Sequence, residues 1–164
     1  MAERLWAPWR MAYMNQEEPD DEACLFCRVG DEDDDGANLV VTRTPSAFLM
    51  LNAYPYTTGH LMAVPKRHTA DLTSLTPDET AEVMDLVQRG IHALDAVYRP
   101  QGYNVGINLG AAAGAGIADH LHVHVVPRWI GDTNFMAAVG DTRVLPDSLD
   151  ETFRKVSEAI GNEP

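Results

Sequence analysis

The sequence predicts an α+β domain, and three observations predict it. Short runs of β-forming residues are punctuated by Pro, Gly, Asn and Thr. One long stretch, Pro77–Tyr98, repeats its apolar residues at helical spacing, and a second capped helix lies near the C-terminus. With 164 residues, 45% of them apolar and 23% charged, the chain suffices for one domain with one core.

The strand candidates are residues 39–43, 48–52, 61–65, 103–109 and 120–126. Between the third and fourth lies the main helix. Thr76 is its N-cap, Pro77 its first helical residue and Glu79 the partner in a capping box. Val83, Leu86, Val87, Ile91, Leu94 and Val97 recur at three and four residues and define its buried face; Pro100 and Gly102 stop it. Ser148 and Glu151 form the second capping box, ahead of the stripe Leu149, Phe153, Val156 and Ile160. Residues 1–38 read as an N-terminal extension carrying Trp6-Ala7-Pro8-Trp9-Arg10, and residues 39–164 as the main domain.

Charge is unevenly distributed. Between Glu17 and Asp35 ten acidic residues face one basic residue, Arg28, a net −9 of the chain's −13 that leaves −4 elsewhere. Runs of like charge prefer solvent, so residues 17–22 and 31–35 are expected in an exposed loop. No basic face for nucleic acid is visible. No apolar run approaches the roughly 20 residues that span a bilayer. The N-terminus lacks the pattern of a signal peptide, so a cytoplasmic location is expected. There a pair such as Cys24 and Cys27 is a metal clip or two free thiols more often than a disulfide.

The chemistry concentrates in His120-Leu121-His122-Val123-His124. In a strand, side chains alternate, so three imidazoles share one face, about 6.6–7 Å apart. A purely structural strand has no apolar reason for that face. It suits metal binding. It equally suits attack on phosphorus, with one neutral ring as nucleophile and its neighbours binding anionic oxygens. Immediately upstream, residues 108–116 form a loop of small residues whose backbone N–H groups can approach phosphate closely. The loop lacks the Lys-Ser/Thr pair of a P-loop and runs from strand to strand.

The run His120 to Val126, followed by Pro127-Arg128, resembles the signature of the histidine-triad (HIT) superfamily of nucleotide hydrolases and transferases. Asn52-Ala53-Tyr54-Pro55-Tyr56-Thr57-Thr58-Gly59-His60, with Val64-Pro65-Lys66-Arg67-His68, resembles that family's nucleoside-binding strand and turn. Cys24-Leu25-Phe26-Cys27 resembles the zinc half-site of its bacterial members. Residues 5–10 and 131–136 resemble a bacterial branch that includes diadenosine tetraphosphate phosphorylases.

The resemblance implies a HIT-like antiparallel sheet of about five strands with one main helix and a C-terminal helix, and a homodimer. It implies that His122 attacks the α-phosphorus of an adenine nucleotide or dinucleoside polyphosphate, forming a nucleotidyl-histidine that inorganic phosphate or water resolves. The attacking nitrogen would be kept unprotonated by a backbone carbonyl holding the other. His124, His60, Asn108 and the backbone of Gly114, Ala115 and Gly116 would serve the phosphate oxygens, and Asn52 the ribose hydroxyls. Cys24, Cys27, His68 and His120 would hold a structural Zn2+. One departure stands out: where many members carry Gln-Ser or Gln-Thr ahead of the first histidine, this chain has Gly116 and Ile117. That loss disfavours a phosphoramidase and bears less on a polyphosphate leaving group. A hydrolase of dinucleotides or phosphoramidates, and a nucleotide-binding sensor without turnover, are the rival readings.

Overall fold

The computed structural model describes residues 24–132 and 147–162. The chain divides into two compact units, Met1–Glu22 with Gly131–Val144, and Ala23–Ile130 with Leu145–Pro164. The aromatic segment 6–10, the acidic stretch 17–22 and residues 133–136 lie outside the described residues.

In the second unit the elements run α1 (Leu25–Asp31), β1 (Val40–Arg43), β2 (Ala47–Leu51), β3 (Leu61–Pro65), α2 (Pro77–Tyr98), β4 (Gly102–Ile107), β5 (Val123–Arg128) and α3 (Leu149–Gly161). The strands form one antiparallel sheet in the order β1-β2-β3-β5-β4, the expected α+β architecture. Every residue of β2 and β3 is buried, because both faces of the sheet are covered. On one face Leu49, Leu51, Leu61, Ala63, Val123 and Val125 pack against Val83, Leu86, Val87 and Leu94 of α2 and Val156 and Ile160 of α3. On the other, Phe48, Met50, Met62 and Val64 pack against Phe26 and Val29 of α1.

Helix α2 has the predicted bounds and capping box: Thr76 Oγ1 accepts from the Glu79 N–H, and the Glu79 carboxylate accepts from the Thr76 N–H at 2.9 Å. Gly90 lets it approach the sheet, since a Cβ there would lie 3.0 Å from Leu61 Cδ1. One strand start and one strand end shift for local reasons. Leu39 has φ +56° and cannot join β1. Asn52, expected in β2, instead turns the chain: its side-chain oxygen accepts from the Tyr54 N–H at 2.8 Å. The second acidic stretch is anchored by Arg43, whose guanidinium donates to the carbonyls of Val29, Gly30 and Glu32 and to the Asp35 carboxylate.

The histidine strand departs most from expectation. It begins at Val123, so His120 and His122 precede the ladder. Extending the β3–β5 register from Ala63↔Val123 brings Leu121 opposite Pro65, which has no N–H to donate. The Pro65 carbonyl is taken by the His120 ring, and the Leu121 N–H donates to Thr69 O at 2.7 Å. The His120 ring is thereby held at the Pro65 carbonyl and among the thiols, while the His122 and His124 rings pack on each other.

Candidate functional site

Two groups of side chains meet at the N-terminal end of β5. The first is Cys24, Cys27, His68 and His120, whose ligating atoms all lie within 4.8 Å of one another. His120 Nδ1 is 3.3 Å from Cys24 Sγ and 3.6 Å from Cys27 Sγ; His68 Nδ1 is 3.3 Å from Cys27 Sγ. With zinc–sulfur bonds of about 2.3 Å and zinc–nitrogen bonds of about 2.0–2.1 Å, a tetrahedron has S···N edges of about 3.5 Å. The four residues therefore fit a metal ion. His120 Nε2–H donates to Pro65 O at 2.8 Å, which fixes the ring's tautomer and leaves the Nδ1 lone pair toward the thiols. Burial and then Cys24 push the Cys27 thiol up; a coordinated cation reverses that preference, since coordinating thiols are deprotonated.

The second group is His60, His122 and His124, all buried. The His122 and His124 ring centroids are 4.8 Å apart and those of His60 and His124 5.1 Å. Proton positions follow from the donors around them. The Tyr56 backbone N–H donates to His60 Nδ1 at 3.2 Å, so that nitrogen is the acceptor and the neutral ring carries its proton on Nε2. This Nε2–H donates to His124 Nδ1 at 3.0 Å, which places the His124 proton on Nε2. His124 Nε2 is buried and, among the described residues, has no hydrogen-bond partner for its proton. His122 is the mirror case. Its Nδ1–H donates to His120 O at 2.9 Å, which leaves the neutral ring's lone pair on Nε2.

All three rings favour the neutral state. Burial, followed by the charges of His124 and His122, pushes His60 down to about 3. Burial and then His122 push His124 down to about 4. His122 is also lowered by burial, partly opposed by its bond to the His120 carbonyl.

The remaining predicted residues are placed by backbone. Asn52 Nδ2 lies 3.4 Å from His60 Nδ1, and Asn52 N–H donates to His60 O at 2.9 Å. Asn108 follows Ile107, the partner of Val123, so the small-residue loop leaves β4 beside His122. Within it Gly110 and Gly114 have φ of +78° and +86° around the short 3-10 turn Ala111–Ala113. Sequence reasoning missed Tyr56, whose backbone N–H orients the His60–His124 pair, and Phe26, whose ring touches both His120 and His122. Phe26 carried one signal, an aromatic residue directly between two ligand candidates.

Paired, oriented imidazoles and a glycine-rich loop delivered to one strand end define a histidine site of the kind suited to phosphate chemistry. The HIT domain family model matches residues 35–129, and the chain belongs to the HIT family. It is 41% identical over 169 residues to AP-4-A phosphorylase from Mycobacterium tuberculosis, covering 99% of this chain and 86% of that protein. It is 31% identical over 106 residues to an adenosine 5'-monophosphoramidase from Schizosaccharomyces pombe, covering 65% of this chain and 74% of the relative. Among solved structures, a zinc-bound histidine triad family protein from Mycobacterium smegmatis aligns with TM-score 0.67 at 31% identity, covering 85% of this chain and 94% of that one.

Proposed function

We propose that this protein cleaves diadenosine tetraphosphate or a related adenine nucleotide through a nucleotidyl-histidine on His122, with inorganic phosphate as acceptor. The observation that carries the reading is the opposed orientation of two neighbouring rings: His122 offers a lone pair at Nε2 while His124 offers a proton at Nε2. The His122 Nε2 lone pair attacks the α-phosphorus, a P–N bond forms, and the P–O bond to the leaving polyphosphate breaks. Phosphate then attacks the same phosphorus, releases the ring, and leaves as ADP. Splitting one displacement into two is the gain from covalent catalysis.

His124 Nε2–H, oriented through His60, donates to the phosphoryl oxygens as charge develops on them. The loop at Gly114, Ala115 and Gly116 cradles the phosphates, the Gly114 N–H closing its turn on Ala111 O at 2.9 Å, with Asn108 at the loop's start, and Asn52 receives the ribose. The neutral state of His60 and His124 suits this role, because neither ring must lose a proton before binding. The metal in the Cys24, Cys27, His68 and His120 cluster is Zn2+, and it ties α1 to β5 without touching the substrate. β4 is one of the two edge strands of the sheet, beside β1, and Val105 on it is 45% exposed, which supports a homodimer paired along that edge.

The 41% identity to a protein named for AP-4-A phosphorolysis supports the substrate class, and Gly116 and Ile117 in place of a polar pair favour a polyphosphate leaving group over an amine. Incubating diadenosine tetraphosphate with and without inorganic phosphate tests it. ADP plus ATP that require phosphate are expected. AMP plus ATP in its absence make the enzyme a hydrolase, and no turnover leaves a nucleotide-binding sensor.

A further inference from the structure

Phe26 is buried to 1% exposure and is the residue for which the proposed chemistry has no use. It packs in the apolar layer with Val29, Phe48 and Met62. Its ring also reaches two imidazoles, with centroids 5.4 Å from His120 at 72° and 5.1 Å from His122 at 49°. The tether distinguishes it from an ordinary core residue. Cys24 lies two residues before it and Cys27 directly after, so both ends of its turn belong to the metal-binding quartet.

The His122 ring needs such a constraint. The torsion joining an imidazole to its Cβ is broad and roughly two-fold, so a half-turn costs little by itself. That half-turn would swap Nε2 for Cε1 and present carbon to a substrate. One hydrogen bond, from Nδ1–H to the His120 carbonyl, opposes it. His120 is itself held at Pro65 and among the thiols. Two rings also pack against the imidazole, His124 at 4.8 Å and Phe26 at 5.1 Å, and of these Phe26 is the one tethered between two members of the quartet.

We propose that Phe26 is a positioning residue for His122: the quartet clamps the first turn of α1, α1 holds the phenyl ring against the imidazole, and the ring keeps Nδ1–H on the His120 carbonyl. The metal cluster and His122 form one mechanical unit with two links, the His120 backbone and the Phe26 ring. This rests on the reading of His122 as nucleophile. The metal takes no part in the reaction; it stiffens both links.

The test uses the full-length protein loaded with Zn2+ and its Phe26→Leu variant, which keeps apolar bulk and removes the ring. Metal content, substrate kinetics and the imidazole nitrogen signals of His122 at fixed pH are compared by elemental analysis, assay and long-range nitrogen–proton NMR. Expected for Phe26→Leu are unchanged zinc stoichiometry, KM within about two-fold and kcat lowered roughly three- to ten-fold, the scale of one aromatic contact. The two His122 nitrogen shifts should move toward each other as the orientations mix. Chelating zinc from the wild-type protein should move the same signals the same way, and this holds the test open if the variant does not fold. His122 signals that are unmoved by the substitution or by chelation overturn the proposal, as does loss of zinc from Phe26→Leu. A wild-type protein with the single-tautomer His122 signature but no turnover defeats the functional reading and leaves the positioning role standing.

Discussion

The carbonyl oxygen of His120 accepts the Nδ1–H of His122 at 2.9 Å, so a residue whose ring can ligate a metal orients its neighbour through its backbone. Asparagine's amide N–H can reach where the Nδ1–H of histidine does, and it has no nucleophilic nitrogen. His122→Asn should therefore fold with the wild-type melting temperature and zinc content and bind AMP within a few-fold of wild type. Its turnover should fall by at least about a thousand-fold, as expected when the group that forms the covalent intermediate is removed. Steady-state kinetics beside calorimetric AMP binding measure both arms. Retained turnover would mean that His122 is not the nucleophile.

The His60–His124 pair makes stability depend on pH. In the folded protein His60 titrates at about 3 and His124 at about 4, against an ordinary imidazole value of 6.5. Between those values the unfolded chain takes up protons that the folded one refuses. The pair's contribution is therefore fully present above pH 6.5 and is lost as pH falls toward 4, by at most roughly 1.4 kcal/mol per pH unit for each ring. Thermal melts from pH 7.5 to 4.5 should slope downward, and His60→Asn should flatten part of that slope. Equal slopes in the two proteins would remove the pair as the cause.

Gly59 fixes the turn that delivers His60. Its φ is +81°, and a Cβ built on it would sit 2.6 Å from Leu94 Cδ2 in α2. Gly59→Ala adds backbone strain and overpacking together, a cost of about 2–4 kcal/mol. Urea unfolding should report that loss, and kcat should fall with it because His60 shifts relative to His124. A wild-type unfolding midpoint in Gly59→Ala would show that the turn relaxes freely.

Much of the fold was legible in the sequence because its signals are local. Pro77–Tyr98 announces both ends through Thr76, Glu79 and Pro100, and β3 is bounded by Gly59 and the stretch after Pro65. The short helix Leu25–Asp31 went unseen, since seven residues with Gly30 and one acidic end carry no helical period. The convergence of Cys24 with His120, 96 residues away, was anticipated only through family resemblance; spacing alone left free thiols as an equal reading. Alternation marked the His120–His124 run but placed the start of the strand at His120 rather than Val123. A residue on another strand, Pro65, withholds the N–H that would have continued the ladder, and no pattern within residues 120–126 can register that. The contact of Phe26 with His122 is likewise tertiary, between segments with no shared periodicity.

The central claim is that His122 Nε2 bonds to phosphorus. Enzyme incubated with diadenosine tetraphosphate without added phosphate, quenched with denaturant and digested at neutral to basic pH to spare the acid-labile P–N bond, gives the direct answer by peptide mass spectrometry. The account predicts an adenylate adduct on the peptide containing His122, absent from His122→Asn and discharged when phosphate is added. Turnover with no adduct at any time point, or an adduct mapped to His60 or His124, would contradict it.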